Sequence, residues 1–363
     1  MDKGKRIVIS VTNDLNYDQR MQRHAGILVD AGFTVILVGR NKKSSTALSK
    51  QAFSQVRLNC FFERGKLFYI EFNFRLLLFL LKTKSAIYLS VDLDTLLPNT
   101  LASIVHHSKL VFDSHEYFTE VPELINRTTT KLIWDKIAKT CIPYSDVAYT
   151  VGEALAIELS LKYNHPFGVI RNVPLLQSLP NNINKEEKFI VYQGALNKGR
   201  ALEQLILAMK EVDCKLILIG EGDLSKSLRQ LVQTENLTER VEFTGWIRPA
   251  ELPEYTQKAW LGYNLLEEES RSYYFSLANK FFDYMHAEIP QLCPPFPEYI
   301  GINKQFEVTV FCDAKTTEIA FTIQNLLEDS ELYKKLQKNC RLAAKAYNLQ
   351  LESEKLKRIF EAL

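Results

Sequence analysis

The feature that most restricts the fold is an alternation of short apolar runs with longer amphipathic segments, which occurs twice along the chain. In the first half these runs are Arg6–Val11, Thr34–Val38, Ala86–Leu89, Lys109–Phe112 and Val147–Val151. In the second half they are Phe189–Tyr192, Lys215–Ile219, Val241–Phe243, Leu261–Leu266, Gln291–Cys293 and Val308–Phe311. Such alternation is typical of parallel strands covered by helices on both faces of the sheet. The sequence therefore predicts an α/β protein with two Rossmann-like, doubly wound domains.

The length and the stretch between the two halves indicate how the chain divides. A chain of 363 residues is long for one hydrophobic core and suits two domains. Residues 171–187 are rich in Asn and Pro and show little periodicity, as expected of a linker. We therefore predict a first domain over 1–170 and a second over 188–348. The last helix, over 349–363, could cross back to the first domain.

Composition excludes several classes of function. A net charge of +2 is too small for the basic face of a nucleic-acid-binding protein, so we expect no nucleic-acid partner. The six cysteines have no paired or metal-like spacing, which indicates reduced thiols. The first strand leaves no room before it for a signal peptide, so we expect a cytoplasmic location.

One segment, Leu67–Leu81, is unusually apolar. It is interrupted by Glu71 and Arg75 and falls short of the roughly 20 apolar residues that a membrane span needs. Basic residues flank it and aromatic residues occur along it, so residues 65–84 could lie on an anionic membrane surface as a peripheral contact. A core helix of an α/β domain would show the same pattern, and both interpretations stay open.

Polar loops follow the predicted strands, and open α/β sheets bind ligands at the carboxyl ends of their strands. After the first strand we expect Asn13, Asp14 and Arg20 to face a ligand, with Asp18 capping the next helix. This loop has no G-x-G-x-x-G, which disfavours a dinucleotide site there. A plain capping loop is the alternative.

Two further loops of the first half carry titratable side chains. Asp92 and Asp94 form a D-x-D that could hold a divalent metal, although Asp94 could equally be a helix N-cap, and we predict no metal site. His115 and Glu116 follow another strand in a polar turn. We expect His115 to donate to a sugar or phosphate oxygen, unless it only satisfies a backbone carbonyl.

In the second half, a loop with glycines and two cations follows the first strand. Gly194 would let the backbone approach a ligand, and Lys198 and Arg200 could compensate the charge of a departing diphosphate. Solvated surface cations are the alternative. Two more turns at strand ends could read a base or a phosphate through Gly220, Glu221, Gly222 and Gly245.

The segment 274–299 predicts a polar turn, a short helix and a strand. Asn279 and Lys280 open the helix, where free backbone N–H groups and the helix dipole favour an anion. Asp283 lies one turn further along, with a carboxylate able to accept from vicinal hydroxyls. Together these three residues could hold the phosphate and the ribose of a nucleotide.

In this order, the segments resemble a GT-B glycosyltransferase of family 4 (group 1). The resemblance covers nearly the whole chain and rests on Thr12–Leu15, Asp92–Pro98, Asp113–Glu120, Arg171–Pro174, Gln193–Arg200, Gly220–Gly222 and Asn279–Met285. It implies two facing Rossmann-like domains with an interdomain cleft. It also implies a retaining, metal-independent transfer of a sugar from a UDP- or GDP-linked donor to a hydroxyl. The acceptor would be a glycan or a lipid-linked molecule in surface polysaccharide or glycolipid synthesis, with no cofactor besides the nucleotide sugar.

The resemblance also assigns roles to residues. Lys198 and Arg200 match the basic pair that stabilises the leaving diphosphate, His115 the histidine beside the transferred sugar, and Asp283 the acid that holds the ribose. Phe275 stands eight positions before Asp283, where the family usually has an acid. Ala195 stands after the glycine of the basic motif, where the family usually has an arginine. The histidines of a common His-x-His-Asp segment are replaced by Leu89 and Val91.

Two other functions remain open at this point. One is a non-catalytic subunit that binds a nucleotide sugar and scaffolds an assembly. The other is a nucleotide-sugar epimerase of the same layout, which would need further acids for proton abstraction, such as Glu116, Glu120 or Glu267–Glu269.

Overall fold

The computed structural model describes residues 5–178 and 187–363. The chain divides into two compact units, Met1–Asn172 with Glu352–Leu363, and Val173–Leu351. The predicted linker at 171–187 begins next to the boundary between the units, and its residues 179–186 lie outside the described residues.

The first unit is built on a parallel sheet. Its strands β1 to β7 are Arg6–Ser10, Thr34–Asn41, Ser54–Asn59, Ile87–Val91, Lys109–Ser114, Val147–Thr150 and Phe167–Val169. Their order across the sheet, as described, is β3-β2-β1-β4-β5-β6-β7, and every pairing is parallel. The central strands consist of apolar residues that are buried on both faces, as a parallel sheet between helix layers requires. Their carboxyl ends lie along one edge.

Helices cover both faces of this sheet. They are α1 Gln19–Asp30, α2 Gly65–Lys82, α3 Leu93–His106, α4 Thr128–Cys141 and α5 Glu153–Tyr163. Asp18 caps α1 as predicted, since its side chain accepts from the N–H of Met21 at 3.1 Å. The last helix, α14 (Leu349–Glu361), buries Leu356 and Phe360 in the same core as the buried face of α1.

The second unit has the same type of architecture. Its strands β8 to β13 are Phe189–Gln193, Lys215–Ile219, Val241–Gly245, Leu261–Tyr263, Gln291–Cys293 and Thr309–Phe311. Among the described residues their order is β10-β9-β8-β11-β12-β13, again all parallel. The helices α6 to α13 are Leu202–Ala208, Ser225–Thr234, Leu252–Lys258, Arg271–Tyr274, Asn279–His286, Pro297–Phe306, Thr316–Glu328 and Ser330–Ala346. The sequence pattern thus gave the correct fold class for both halves.

The structure adds two strands that the apolar pattern did not predict. β3 is half exposed, alternates polar with apolar residues, and among the described strands pairs with β2 alone. β7 is three residues long, contains Gly168 and lies at the opposite edge. Edge strands are short and partly solvated, so they lack the apolar run that marks a central strand. The strand predicted at Leu261–Leu266 is also shorter, because it ends at Tyr263.

The apolar segment forms α2, and it is buried on one face only. Phe68, Phe72, Leu76 and Leu80 are buried against the unit, whereas Ile70 and Phe74 are exposed. None of the helices in the described part of the chain combines the length and the apolar character needed to cross a membrane. All six cysteines are free thiols, and Cys60 and Cys214 are partly exposed while the others are buried.

Candidate functional site

The first unit gathers charged side chains at the carboxyl ends of β4 and β5. Asp113, in β5, is fully buried, and Arg20 of α1 donates to it from Nη2 at 3.1 Å and to the Ile170 carbonyl at 3.1 Å. His24 Nδ1 lies 3.7 Å and His115 Nε2 lies 3.3 Å from the other oxygen of this carboxylate. A single buried carboxylate therefore fixes one arginine and two histidines.

The two histidines around Asp113 titrate differently. Burial opposes protonation of His115, but the charges of Asp113 and Asp92 outweigh it and raise the pKa of His115. Burial and the charge of Arg20 hold the pKa of His24 well below 6.5. Burial alone would raise the pKa of Asp113, yet Arg20 and His115 lower it. His115 is thus the more readily protonated of the two histidines, and its side chain is 24% exposed, so a ligand can reach it.

Asp92 connects His115 to the start of α3. Its carboxylate accepts from the backbone N–H of His115 at 2.8 Å and lies 3.7 Å from His115 Nδ1. The backbone of Asp92 has a φ of 55°, a left-handed conformation that a non-glycine residue adopts only at some cost. Strained residues of this kind cluster at functional sites.

Asp94 is not the helix N-cap that the sequence suggested. α3 begins at Leu93, so Asp94 lies within the first turn, where it accepts from Thr12 Oγ1 at 2.6 Å. Burial and the nearby Asp92 raise the pKa of Asp94 to about 8, so this carboxyl is protonated at neutral pH. The two aspartates contact different partners, and in the described ranges no three His, Cys, Asp or Glu side chains form a metal-binding group.

Of the remaining predicted site residues of the first unit, Asp14 and Arg20 are more buried than expected. Asp14 is almost fully buried and binds Ser45, Arg57 and the backbone of Asn16, so its carboxylate organises the loop instead of facing a ligand. Asn13 donates to Asp18 at 3.2 Å. Arg20 is buried as well, but its Nε and Nη1 have no acceptor among the described residues. Glu116 is exposed.

In the second unit, Gln193 at the end of β8 organises the site. Its Nε2 donates to Asp283 of α10 at 2.7 Å, and its Oε1 accepts from Thr256 of α8 at 2.8 Å. The buried Tyr284 holds the same strand end, because its hydroxyl accepts from the Gln193 N–H at 3.2 Å. These bonds fix the position of Asp283, which is partly exposed.

Lys280 is the most unusual side chain of this unit. It lies in the first turn of α10, it is only 9% exposed, and its ammonium is 3.7 Å from the centre of the Tyr192 ring. Among the described residues Lys280 forms no hydrogen bond and no ion pair, and Asp283 is the acid whose charge acts on its ammonium. Burial and the charge of Arg200 hold the pKa of Lys280 well below 10.5. The ammonium also lies beside the backbone of Gly194, 3.7 Å from where a Cβ at Gly194 would stand.

The other two cations differ in their surroundings. Arg200 precedes Ala201, which has a left-handed backbone (φ 50°) and is buried. The Arg200 guanidinium lies 5.2 Å from the Tyr273 ring, and its buried Nε has no acceptor in the part of the chain that is described. Lys198, by contrast, is 83% exposed and pairs with Glu269 at 3.0 Å. Of these three cations, Lys198 has an acidic partner, whereas no ion pair of Arg200 or Lys280 is found among the described residues.

The glycine turns bring the ends of β8 and β9 close together. A Cβ on Gly220 would stand 2.0 Å from the carbonyl oxygen of Gly194, and the Gly220 φ is 132°. A Cβ on Gly222 would stand 2.6 Å from the Leu196 carbonyl oxygen. Glu221 is exposed and pairs with Arg229 at 2.6 Å, and Gly245 ends β10 beside it. These positions require glycine because two backbone segments meet there.

The sequence interpretation placed Asn279, Lys280 and Asp283 correctly on one short helix that starts at Asn279. It did not single out Asp113 or Gln193, although both are polar residues that end apolar strands. That position is the available signal, because a buried polar group at a strand end needs a partner. Tyr192 offered no signal, since an aromatic residue is ordinary in a strand.

Comparisons with known proteins agree with this architecture. Residues 177–343 match the family model described as glycosyl transferases group 1. No curated protein sequence matches the chain.

Several solved structures share the fold at low sequence identity. Sucrose-phosphate synthase from Thermosynechococcus elongatus has a TM-score of 0.80 at 15% identity, covering 99% of this chain and 98% of that chain. Alr3699/HepE from Anabaena, solved in complex with UDP, has a TM-score of 0.76 at 12% identity, covering 99% and 100%. WaaG, a glycosyltransferase involved in lipopolysaccharide biosynthesis, has a TM-score of 0.74 at 12% identity, covering 98% and 99%.

These similarities cover 98–99% of this chain and 98–100% of each solved structure. The chain therefore has the GT-B fold of these glycosyltransferases, and its residues 177–343 have the sequence pattern of glycosyl transferases group 1.

Proposed function

We propose that the chain is a retaining glycosyltransferase of family 4 that moves a sugar from a nucleotide diphosphate sugar to a hydroxyl. The observation that carries this proposal is the pair of cations at the end of β8. Arg200 and Lys280 both lack an acidic partner in the described structure, and Lys280 is buried. A buried, unpaired positive charge is unfavourable unless an anion joins it. A diphosphate bound at the start of α10 supplies that anion.

The remaining groups of the second unit suit the nucleotide. Gln193 fixes the carboxylate of Asp283 in α10 through a hydrogen bond. This carboxylate can accept from the two ribose hydroxyls. Gly194 and Gly220 have no side chain and allow close approach of the diphosphate to the backbone. HepE was solved with UDP and with UDP-glucose, which favours a UDP-linked donor here, with GDP as the second choice.

The reaction breaks the bond between the anomeric carbon of the sugar and the diphosphate oxygen. The acceptor oxygen bonds to the anomeric carbon on the same face, and the acceptor proton passes to the departing phosphate oxygen. Arg200 and Lys280 stabilise the negative charge that develops on the leaving group, with Lys198 available from the surface. We assign His115, whose pKa is raised and whose side chain is partly exposed, as a donor to the transferred sugar. The side-chain cations supply the compensating charge, so we propose that no divalent metal is required.

The acceptor is a hydroxyl of a glycan or of a lipid-linked molecule, in surface polysaccharide or glycolipid synthesis. WaaG, which shares the fold, acts in lipopolysaccharide biosynthesis, and this supports the assignment. We place the protein in the cytoplasm, at the inner face of the membrane that carries the acceptor. Three of the acids that an epimerase would use are engaged, because Glu120 binds Lys131, Glu269 binds Lys198 and Glu267 binds Gln204, whereas Glu116 is exposed.

The test combines donor binding with turnover. Isothermal titration with UDP, GDP, ADP and their sugars identifies the donor, and NMR of the product with a panel of acceptors gives the anomeric configuration. We expect retention, and activity that a chelator leaves unchanged.

Arg200→Ala should lower kcat/KM by a factor that corresponds to about 3 kcal/mol of transition-state stabilisation. Lys198→Ala should cause a smaller loss, because the Lys198 ammonium is at the surface and paired with Glu269. Arg248→Ala, an exposed arginine of the same unit, is the control and should retain activity. Wild-type turnover in Arg200→Ala would exclude the leaving-group role, and inversion or a strict Mn²⁺ requirement would exclude the proposed mechanism.

A further inference from the structure

An apolar stripe runs along the outer face of the first unit, on α2 and the neighbouring α3. On α2 it consists of Ile70, Phe74, Leu78 and Leu81, which are all exposed; Ile70 is 67% exposed and Phe74 is 60% exposed. Their spacing of three and four residues puts them on one side of the helix, opposite the buried Phe72, Leu76 and Leu80.

The neighbouring α3 has exposed apolar residues as well. The two helices pack side by side on the same sheet, and the exposed Leu101 and Val105 lie one turn apart on α3. We call the six residues Ile70, Phe74, Leu78, Leu81, Leu101 and Val105 the apolar face. Rows of exposed apolar residues on two packed helices mark an interaction site, whereas isolated exposed hydrophobic residues are normal.

Positive charge borders the apolar face. Arg64 and Lys66 stand at the start of α2, and Lys82 and Lys84 at its end, all exposed. The sequence has no Asp or Glu from residue 72 to residue 91.

The one acid within α2 does not offset these cations. The Glu71 carboxylate accepts from the N–H groups of Phe61 and Phe62 at 2.9 and 3.0 Å and from Arg75 at 2.8 Å. Its charge is therefore taken up locally, and the cations Arg64, Lys66, Lys82 and Lys84 outnumber the other nearby acid, Glu63.

We propose that the apolar face docks the first unit on an anionic lipid bilayer. The aliphatic and phenyl side chains enter the region between headgroups and acyl chains, and Lys66, Lys82 and Lys84 reach lipid phosphates at the rim. The positive rim selects this occupant over a second copy of the chain, because two copies joined through this face would bring like charges together. This inference deepens the proposed function by naming the surface that brings the protein to a lipid-linked acceptor.

Vesicle co-sedimentation tests the proposal without any need for glycosyl transfer. Wild-type protein should bind phosphatidylcholine vesicles that contain 30% phosphatidylglycerol and should bind pure phosphatidylcholine at least tenfold more weakly. Ile70→Glu with Phe74→Glu should reduce the partition coefficient at least tenfold, and Lys82→Glu with Lys84→Glu should remove the preference for anionic lipid. Phe321→Glu, an equally exposed position (64%) in the second unit, is the matched control and should bind as wild type does.

Thermal unfolding and titration with UDP show whether each variant is folded and whether the donor site is intact. Failure of UDP binding in wild-type protein would refute the proposed function and leave the membrane result standing. Absence of wild-type binding to anionic vesicles would overturn the inference. So would equal binding of Ile70→Glu with Phe74→Glu, or sedimentation-velocity dimers that these substitutions dissociate in the absence of vesicle binding.

Discussion

Replacing Lys280 with methionine should weaken nucleotide binding while it stabilises the protein. Methionine keeps an unbranched apolar side chain, one atom shorter than that of lysine, and removes the charge. Lys280 is 9% exposed, lies 3.7 Å from the Tyr192 ring centre and has no acidic contact in the described chain. In the free protein a charge on Lys280 therefore lowers stability, whereas in the complex the ammonium contacts the ligand.

Both magnitudes follow from this environment. A charge-assisted contact to phosphate contributes about 1.5–3 kcal/mol, so Lys280→Met should weaken UDP binding about 10- to 150-fold. Removing the buried charge offsets the loss of the cation–π contact, which is worth about 0.5–2 kcal/mol, and should leave a net gain of about 1 kcal/mol. For a unit of this size that gain raises Tm by about 2–4 °C.

The pH dependence gives a second signature. The folded-state pKa of Lys280 is lowered below the 10.5 of an unfolded lysine, so the unfolded chain binds more protons between these two values. Stability of the wild type should therefore rise with pH across that window, and UDP affinity should fall as the ammonium deprotonates. In Lys280→Met, the part of the pH dependence of stability and of UDP affinity that is due to Lys280 should be absent.

Isothermal titration with UDP and differential scanning calorimetry measure these effects. Lys258→Met is the matched control, because Lys258 is an exposed lysine of the same unit that pairs with Glu254. It should leave UDP affinity unchanged and change Tm by less than a degree or two. The reasoning fails if Lys280→Met binds UDP within twofold of the wild type, or if it unfolds at a lower temperature.

Two further predictions test the geometry of each unit. Gly220→Ala should destabilise the second unit by at least about 3 kcal/mol in urea unfolding, because its Cβ would stand 2.0 Å from the Gly194 carbonyl oxygen. Gly301→Ala is the control, since Gly301 lies within α11 with open space around it. This variant should be neutral or more stable by about 0.5–1 kcal/mol. NMR titration should find His115 above and His24 below the ordinary value of 6.5, although both face Asp113. The contribution of His115 to stability is then fully present below 6.5 and is lost as pH rises through its raised folded pKa. Equal pKa values for the two histidines would contradict the buried network.

Part of the candidate site could be predicted because local sequence fixes it. Asn279, Lys280 and Asp283 share one short helix between a polar turn and a strand, and helix spacing alone puts Lys280 and Asp283 within one turn. Asp18 was recognisable as an N-cap from its place before an amphipathic run. These assignments depend only on neighbours along the chain.

Other parts depend on residues far apart in sequence. The bond from Gln193 to Asp283 joins positions 90 residues apart, and Arg20 reaches Asp113 across 93 residues. The hydrophobic periodicity of the sequence does not indicate which distant polar residues will pair. Asp14 was expected to face a ligand, but its carboxylate forms an ion pair with Arg57 of β3.

The sequence by itself determined the α/β class, the two parallel sheets and the strand ends at which polar residues collect, because the apolar period reflects burial on both faces of each strand. Only the tertiary structure decided which cation lacks a counter-charge. Lys198 and Lys280 look equivalent in the sequence, yet one pairs with Glu269 at the surface and the other lies buried against Tyr192. The electrostatic state of a side chain is set by its solvation and its partners in space, and local sequence specifies neither.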